Sequence, residues 1–256
     1  VIGSGVAGLI AAAEASRHHE VILVTKANLA ESNTHYAQGG IAAVVADDDS
    51  ISEHVDDTLS AGADYCFEPA VQVLCEEGPQ RINDLIRFGV DFDKQGAAFA
   101  LGMEAAHSHA RILHAGGDTT GADISRALVE TLRATATEIH EHTFVADFEV
   151  VNGEVKGVHL MDASGKHFVE ADAVILASGG AGQLYRHTTN PNSPQISLIS
   201  LNRYHPPAKL LRCLDLSHLI NNKRMGIPHQ IWIPPPWTYR TPQQPTLWDR
   251  MNPPLR

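Results

Sequence analysis

The chain has 256 residues and a formal net charge of −11 at pH 7, with 43% hydrophobic residues. This length allows one large or two modest domains with a substantial core. The negative charge argues against a nucleic-acid-binding protein, whose surface would be basic. No run in the sequence is apolar and long enough to cross a bilayer, so we expect no membrane partner.

The chain opens with a short apolar stub and three glycines at the spacing of a dinucleotide-binding turn. Gly3, Gly5 and Gly8 form the pattern G-x-G-x-x-G, and an Ala-rich helix is predicted over residues 9–16. In this motif the first glycine allows a tight turn, the second lets a pyrophosphate approach the backbone, and the third lets the helix pack on the strand. A strand predicted at residues 20–24 supplies the βαβ context, so the pattern predicts nucleotide binding.

The identity of the dinucleotide stays open at this point of the chain. An acidic residue for the ribose is expected about 20 residues after the glycines, where Thr25 and Lys26 stand instead. Lys26 is compatible with a 2′-phosphate, and so with NADP, or with a contact to a flavin nucleotide. The next segment is therefore needed to choose between them.

The loop at residues 32–42 has the chemistry of a segment laid against a flat, polar ligand. Asn33, Thr34 and Gln38 offer short-range hydrogen bonds, and Gly39 and Gly40 allow backbone amides to come close. An ordinary surface loop has a similar composition. A ligand-binding loop is favoured by its position, because it follows the G-x-G-x-x-G fingerprint (Gly3, Gly5 and Gly8) and one further strand.

Three elements in the next part of the chain are predicted to be scaffold. Residues 47–50 are expected to form a solvated acidic turn, because they lack the alternating ligand spacing of a calcium loop. A helix is expected to begin with Ser52 as its N-cap. A longer amphipathic helix is predicted from about Val71 to Ile86.

Polar and charged side chains are dense between Gly102 and Gly121. They are Glu104, His107, His109, Arg111, His114 and Asp118. A His-x-His pair without a clear third ligand does not make a convincing metal site, and we predict no metal. The set suits anion and proton handling, because a glutamate can meet an ammonium group whereas histidine and arginine can meet carboxylates.

The chain from residue 122 to residue 180 predicts a helix, a meander and a returning strand. The helix is expected at residues 122–135, and strands at 143–151 and 154–161 are joined by an Asn-Gly turn that strongly favours a hairpin. A third strand is expected at residues 167–170, and the apolar run 173–177 is typical of a buried parallel strand. We therefore predict an α/β fold, with a Rossmann-like parallel sheet and an inserted antiparallel β-meander. Ser178, Gly179 and Gly180 follow at the sheet edge where such folds bind ligands.

Several separated motifs occur in an order that resembles the L-aspartate oxidase family, which belongs with the succinate dehydrogenase and fumarate reductase flavoproteins. The motifs are Gly3-Ser4-Gly5-Val6-Ala7-Gly8, Val24-Thr25-Lys26, the run at residues 33–43 and the run at residues 107–115. The resemblance covers residues 1–191 and implies that they form an FAD-binding domain. It also implies oxidation of L-aspartate to iminoaspartate, the first step of NAD biosynthesis, with oxygen or fumarate as electron acceptor.

The resemblance assigns roles to individual residues. Those expected to bind FAD are Gly3, Ser4, Gly5, Val6, Ala7, Gly8, Lys26, Asn33, Thr34, His35, Tyr36, Ala37, Gln38, Gly39, Gly40, Ser178, Gly179 and Gly180. Glu104 is expected to face the amino group of the substrate, with His107 and Arg111 as weaker catalytic candidates. Met103, Ala105 and Ala106 replace the arginine and glycines that the family commonly has around this glutamate.

Two alternatives to this function remain open. One is a succinate dehydrogenase or fumarate reductase type of flavoprotein, and the other is a flavin-binding remnant without catalytic activity. The dehydrogenase and reductase subunits usually carry a histidine joined covalently to FAD where this sequence has Asn33. Asn33 therefore favours the oxidase and a non-covalent FAD.

Composition changes abruptly near residue 191. Residues 1–190 hold 28 acidic and 11 basic side chains, whereas residues 191–256 hold 2 and 8, together with 12 of the 14 prolines and all three tryptophans. We expect residues 192–256 to be a Pro-rich basic tail that is disordered or out of frame. With a trimmed first strand and a missing capping domain, we expect impaired or absent activity in this chain.

The three cysteines, Cys66, Cys75 and Cys213, are widely separated in the sequence. Such spacing favours neither a disulfide framework nor a zinc site. Free thiols are typical of a reducing compartment. We therefore expect a cytoplasmic location.

Overall fold

A computed structural model of the chain describes residues 1–180 and His187. The predicted tail at residues 192–256 lies outside the described residues, as does the rest of the segment after Gly180. The predicted α/β class is confirmed by parallel and antiparallel sheets combined with four α-helices in the described part.

The parallel sheet is built around the first residues of the chain. Ile2 pairs in parallel with Val24 on one side and Leu176 on the other. Strand β1 (Ile22–Val24) in turn pairs in parallel with β7 (Glu138–His140). The run at residues 173–177 therefore returns to the sheet beside Ile2, as predicted, and Leu176 is buried there.

Helix α1 (Val6–Ala15) packs between the parallel sheet and α4 (Thr120–Arg133). Leu9 and Ile10 of α1 and Leu128 and Leu132 of α4 belong to one buried cluster. Helix α1 begins three residues earlier than predicted, because Gly5 takes an extended conformation as N-cap and the chain turns into the helix at once. The N-terminus of α1 thus lies directly behind the glycine turn.

Helices α2 (Ile51–Ala61) and α3 (Glu68–Arg87) form a second helical layer. Val55 of α2 packs with Val71 and Cys75 of α3. The predicted N-cap was wrong, because Ser50 rather than Ser52 caps α2. The Ser50 hydroxyl accepts the Glu53 N–H at 3.2 Å and donates to the Glu53 carboxylate at 2.7 Å, so one serine satisfies the first turn.

The predicted meander is confirmed. Strands β8 (Phe144–Val151), β9 (Glu154–Asp162) and β10 (Gly165–Glu170) form an antiparallel sheet in the order β10-β9-β8. Asn152 and Gly153 both have positive φ, 53° and 81°, as a two-residue hairpin turn requires. The meander shares a core with the parallel sheet, because Leu160 belongs to the same buried cluster as Ile2 and Val24.

Short antiparallel strands connect the remaining loops. Strands β3 (Lys94–Gln95) and β4 (Ala98–Phe99) pair with each other. Strand β6 (Ile112–Leu113) lies between β2 (Ile41–Ala42) and β5 (Leu101–Gly102). This small sheet brings the loop that precedes β2 close to the loop between β5 and β6. None of the helices among the described residues combines the length and apolarity needed to cross a bilayer.

Candidate functional site

A groove of about 230 Å³ lies at the carboxyl edge of the parallel sheet. It is lined by residues 2–7, 24–26, 31–34, 143–145 and 177–179. These segments are the glycine turn, the ends of two parallel strands, the middle of the loop between β1 and β2, and the start of the meander. The groove therefore occupies the position where open α/β sheets bind their ligands.

The three fingerprint glycines differ in what surrounds them. A Cβ on Gly3, whose φ is +108°, would lie 2.3 Å from the carbonyl oxygen of Ala177, and a Cβ on Gly8 would lie 1.9 Å from that of Gly3. The position of a Cβ on Gly5 is open apart from Thr34 Oγ1 at 3.5 Å. Gly3 and Gly8 thus permit close packing, whereas Gly5 leaves room for a ligand at the groove, which fits a dinucleotide pyrophosphate.

The N-terminus of α1 faces this groove and favours an anion. No side chain of the N-cap residue bonds to the helix, and no acidic residue occupies its first turn. Instead the Val6 N–H donates to Thr34 Oγ1 at 3.0 Å. The positive end of the helix dipole is therefore available to a phosphate.

Lys26 adds a cationic side chain to the lining of the groove. Burial lowers the pKa of Lys26, whereas the nearby Glu31 carboxylate acts in the opposite direction. Ser4 and Thr25 also line the groove, and their hydroxyls lie 2.9 Å apart and are buried. This lining is thus polar and partly desolvated.

The structure divides the predicted cofactor residues into two groups. Those that line the groove are Gly3, Ser4, Gly5, Val6, Ala7, Lys26, Asn33, Thr34, Ser178 and Gly179. Those outside its lining are Gly8, His35, Tyr36, Ala37, Gln38, Gly39, Gly40 and Gly180. For Gly40 the geometry gives a packing reason, because a Cβ there would lie 2.3 Å from the carbonyl oxygen of Leu113.

The loop that follows β1 is held against α4 by close backbone contact. The Gly121 N–H donates to the carbonyl oxygen of Ala37 at 3.2 Å. A Cβ on Gly121 would lie 2.0 Å from the carbonyl oxygen of Thr34. The glycine at position 121 therefore allows the loop to reach the groove with Asn33 and Thr34.

Glu104 is brought to this loop from the β5–β6 hairpin. Its Oε1 atom lies 3.9 Å from the position of a Cβ on Gly39. The side chain is exposed, and its own backbone carbonyl accepts the His107 N–H at 3.0 Å in a tight turn. Glu104 is thus placed to meet a cation beside the loop.

Arg111 lies in a different environment from the one expected of a catalytic candidate. Its side chain is 1% exposed, and its guanidinium donates to Asp49 Oδ2 at 2.9 Å, Asp49 Oδ1 at 2.7 Å and Asp57 Oδ2 at 2.7 Å. Both carboxylates hold it inside the protein, so we reassign Arg111 to a structural ion-pair network. The nitrogen atom Nη1 also lies 3.5 Å from His107 Nδ1.

The acidic turn at residues 47–50 is only partly solvated. Asp47 and Asp48 are exposed, as predicted, but the side chain of Asp49 is 1% exposed. Burial raises the pKa of Asp49, yet the hydrogen bonds from Arg111 and from the Ser50 N–H outweigh it, and the pKa lies below its usual value. The prediction of a wet turn was wrong for Asp49, because its partner is far away in the sequence.

One group of potential metal ligands occurs among residues 1–180, formed by Asp49, Glu53 and His109. Their ligand atoms lie within 4.8 Å of one another. Both carboxylate oxygens of Asp49 already bind Arg111, and His109 Nε2 lies 3.4 Å from Glu53 Oε1. The adjacent guanidinium would repel a metal cation, so the group acts as part of the ion-pair network.

Comparison with known proteins shows which family has a similar sequence. The family model described as FAD binding domain matches residues 1–196. L-aspartate oxidase from Streptomyces coelicolor is 45% identical over 201 residues, which cover 75% of this chain and 34% of that protein. L-aspartate oxidase 2-a, chloroplastic, from Nicotiana tabacum is 44% identical over 199 residues, covering 75% of this chain and 31% of that protein. The chain thus spans about a third of the length of the curated relatives it matches.

Two solved structures show the same architecture. Quinol fumarate reductase FrdA from E. coli matches with a TM-score of 0.69 and 29% identity, over 75% of this chain and 34% of that one. Sdh1 from Mycobacterium smegmatis matches with a TM-score of 0.68 and 27% identity, over 75% and 35% of the two chains. Both likenesses agree with a nucleotide-binding fold in which the glycine turn opens the groove.

Proposed function

The chain belongs to the FAD binding domain family, so FAD is its cofactor, and we propose that it takes part in oxidising L-aspartate to iminoaspartate. The observation that carries this proposal is the position of Glu104 beside Gly39, on the loop whose Asn33 and Thr34 line the groove. A carboxylate there suits the ammonium group of an amino acid. The identity of 45% with an L-aspartate oxidase supports the choice of amino acid.

The residues of the groove fit FAD. The open Cβ position at Gly5 and the N-terminus of α1, whose first turn holds no acidic side chain, suit its pyrophosphate, and Lys26 adds a positive charge nearby. When bound, FAD supplies the two-electron acceptor for the substrate. In our proposal the protein orients the amino acid through Glu104.

The choice of electron acceptor belongs to the same proposal. The likeness to a fumarate reductase supports fumarate as the kind of acceptor. Oxygen is proposed on the family resemblance alone. The reaction would then provide the first step of NAD biosynthesis, and a cytoplasmic location stays a prediction from the separated cysteines.

The second candidate is a flavoprotein of the succinate dehydrogenase or fumarate reductase type, which the two solved structures favour. Its substrate would be a dicarboxylate without an amino group. Glu104 discriminates between the two, because a carboxylate near the bound ligand attracts the ammonium group of L-aspartate, which succinate lacks.

An anaerobic titration of the FAD-loaded chain tests the proposal. L-aspartate is expected to bleach the flavin absorbance, though slowly, because we expect impaired activity in this chain, whereas succinate at the same concentration is not expected to bleach it. The Glu104→Gln variant should retain FAD and be bleached by L-aspartate at least about tenfold more slowly, since one charge-assisted contact is lost. Bleaching by succinate alone would establish the second candidate, and no bleaching by either compound would leave a flavin-binding protein without this activity.

A further inference from the structure

Asp57 makes an unusual set of contacts for a helix residue near the protein surface. Its Oδ2 atom accepts the Ser108 N–H at 2.7 Å, the Ser108 hydroxyl at 2.8 Å and Arg111 Nη1 at 2.7 Å. Ser108 is 51 positions away in the sequence. One carboxylate oxygen thus connects α2 to the loop between β5 and β6.

The part of this loop that carries Glu104 receives little support from packing. Strands β5 and β6 close the hairpin through Leu101–Leu113 and Gly102–Ile112 pairs. Beyond β5, residues 103–106 are all exposed. The bond from the His107 N–H to the Glu104 carbonyl makes one turn, and Ser108 follows directly. The contact of Ser108 with Asp57 therefore holds the far end of the turn that presents Glu104.

Helix α2, which carries Asp57, is anchored at several points. Helix α2 is capped by Ser50 and packs through Val55 against Val71 and Cys75. Arg111, the second partner of Asp57, is itself fixed at both carboxylate oxygens of Asp49. The hydrogen bonds from Ser108 to Asp57 thus attach the loop between β5 and β6 to helix α2.

Asp57 is charged under ordinary conditions. The Ser108 N–H is the main cause of a pKa that is lowered to about 2, and the Ser108 hydroxyl and Arg111 act in the same direction against the effect of burial. An ionised acceptor makes stronger hydrogen bonds than a neutral one. The charge therefore strengthens the connection to the loop.

We infer that Asp57 is a positioning residue for Glu104, holding the turn at residues 104–108 on α2 so that the Glu104 carboxylate stays beside Gly39. This inference rests on the proposed function, because Glu104 is the group that meets the amino group of L-aspartate there. Asp57 itself bonds to the loop and to Arg111, and acts on the substrate only through Glu104.

The variants that test this are Asp57→Asn and Ser108→Ala, with Asp56→Asn as matched control. Asp56 is the exposed neighbour of Asp57 on the same helix. Ser108→Ala removes only the hydroxyl bond and keeps the ion pair of Asp57 with Arg111, so it remains informative if Asp57→Asn does not fold. All are prepared as the full chain loaded with FAD.

Two measurements are made on each protein. Amide hydrogen exchange over residues 103–108 reports the loop directly, with α4 as internal reference for the fold. The dependence of flavin bleaching on L-aspartate concentration reports the position of Glu104. For Asp57→Asn we expect exchange at residues 103–108 to rise at least tenfold and the half-saturating L-aspartate concentration to rise at least fivefold, with FAD affinity within twofold. Ser108→Ala should show both changes to a smaller extent.

The outcomes separate this inference from the proposed function. If the unaltered chain is not bleached by L-aspartate, the proposed function fails, and the inference fails with it. If the unaltered chain is bleached while Asp57→Asn and Ser108→Ala behave like Asp56→Asn in either measurement, the positioning role alone is overturned.

Discussion

The guanidinium of Arg111 binds both carboxylate oxygens of Asp49, from Nε to Oδ2 at 2.9 Å and from Nη2 to Oδ1 at 2.7 Å. The two residues are 62 positions apart in the sequence, and both side chains are 1% exposed. Two-point contact of this kind fixes orientation as well as distance. It joins the segment before α2 to the start of β6, and so fixes the base of the hairpin that carries Glu104.

Replacing Arg111 by methionine is expected to destabilise the protein strongly. The substitution leaves the carboxylate of Asp49 buried without its partner, and such a loss costs about 3–5 kcal/mol. Urea denaturation of the two proteins measures the change in the free energy of unfolding. The control is Arg126→Met, since Arg126 is an exposed residue paired with Asp123 and Glu130. That change should stay below about 1 kcal/mol, and equal effects for the two variants would contradict the structural role of Arg111.

The lowered pKa of Asp57 should make the stability of the folded protein depend on pH. Its pKa is lowered to about 2 in the folded protein, whereas an unfolded aspartate titrates at about 3.9. The folded state therefore favours the ionised form, and the stabilisation is complete above about pH 4 and lost as the pH falls towards 2. Urea denaturation at a series of pH values should show the difference in stability between the unaltered chain and Asp57→Asn shrinking over this range. A difference that stays constant from pH 5 to pH 2 would show that the charge of Asp57 contributes nothing.

Substitution of the fingerprint glycine Gly5 is expected to weaken FAD binding without much change in the stability of the protein. Gly5→Ala meets only ordinary contact with Thr34, so the protein without FAD should change in stability by less than about 1 kcal/mol. The added methyl group enters the groove, however, and should weaken FAD binding at least about tenfold by removing the close backbone approach. Fluorescence titration with FAD measures the affinity, and thermal unfolding measures the stability.

Gly8→Ala is the matched comparison, because its methyl group would overlap the carbonyl oxygen of Gly3. It should destabilise the protein by about 1–3 kcal/mol or more, whether or not FAD is present, because the overlap is with backbone. The interpretation of Gly5 as the ligand-facing glycine would fail if Gly5→Ala lowered stability as much as Gly8→Ala and bound FAD normally.

FAD is expected to be bound without a covalent bond. Asn33 lines the groove, and its amide is not a nucleophile of the kind that a histidine ring provides. Acid precipitation of the FAD-loaded protein should leave the yellow colour in the supernatant, measured by absorbance. Colour that stays with the pellet after washing in denaturant would contradict the prediction.

Features that depend on neighbouring residues could be predicted from the sequence. The Gly3-Gly5-Gly8 turn has fixed spacing and fixed consequences for the backbone, and the structure places it at the groove. The Asn152-Gly153 turn is equally local, because both residues supply the positive φ that joins two strands. Such patterns can be predicted because the residues that form the turn also determine its backbone conformation.

Features that depend on distant residues could not be predicted in the same way. The sequence makes Arg111 a weaker catalytic candidate because nothing near it indicates that Asp49 and Asp57 bind it. Ser50 rather than Ser52 caps α2. Glu53, three residues after Ser50, bonds to the Ser50 hydroxyl through both its backbone N–H and its carboxylate. Outside the fingerprint, Thr143 and Phe144 line the groove only because the meander begins beside it, which no local pattern predicts.

The contact between Gly121 and the loop after β1 bears on the order in which this protein folds. The carbonyl oxygens of Thr34 and Ala37 rest on a helix that comes much later in the chain. We therefore expect the loop to reach its final shape only after α4 has docked, since contacts distant in sequence form late. A ligand that binds such a late-forming segment should act mainly by slowing unfolding, and FAD would then prolong the lifetime of the native chain more than it would hasten its formation.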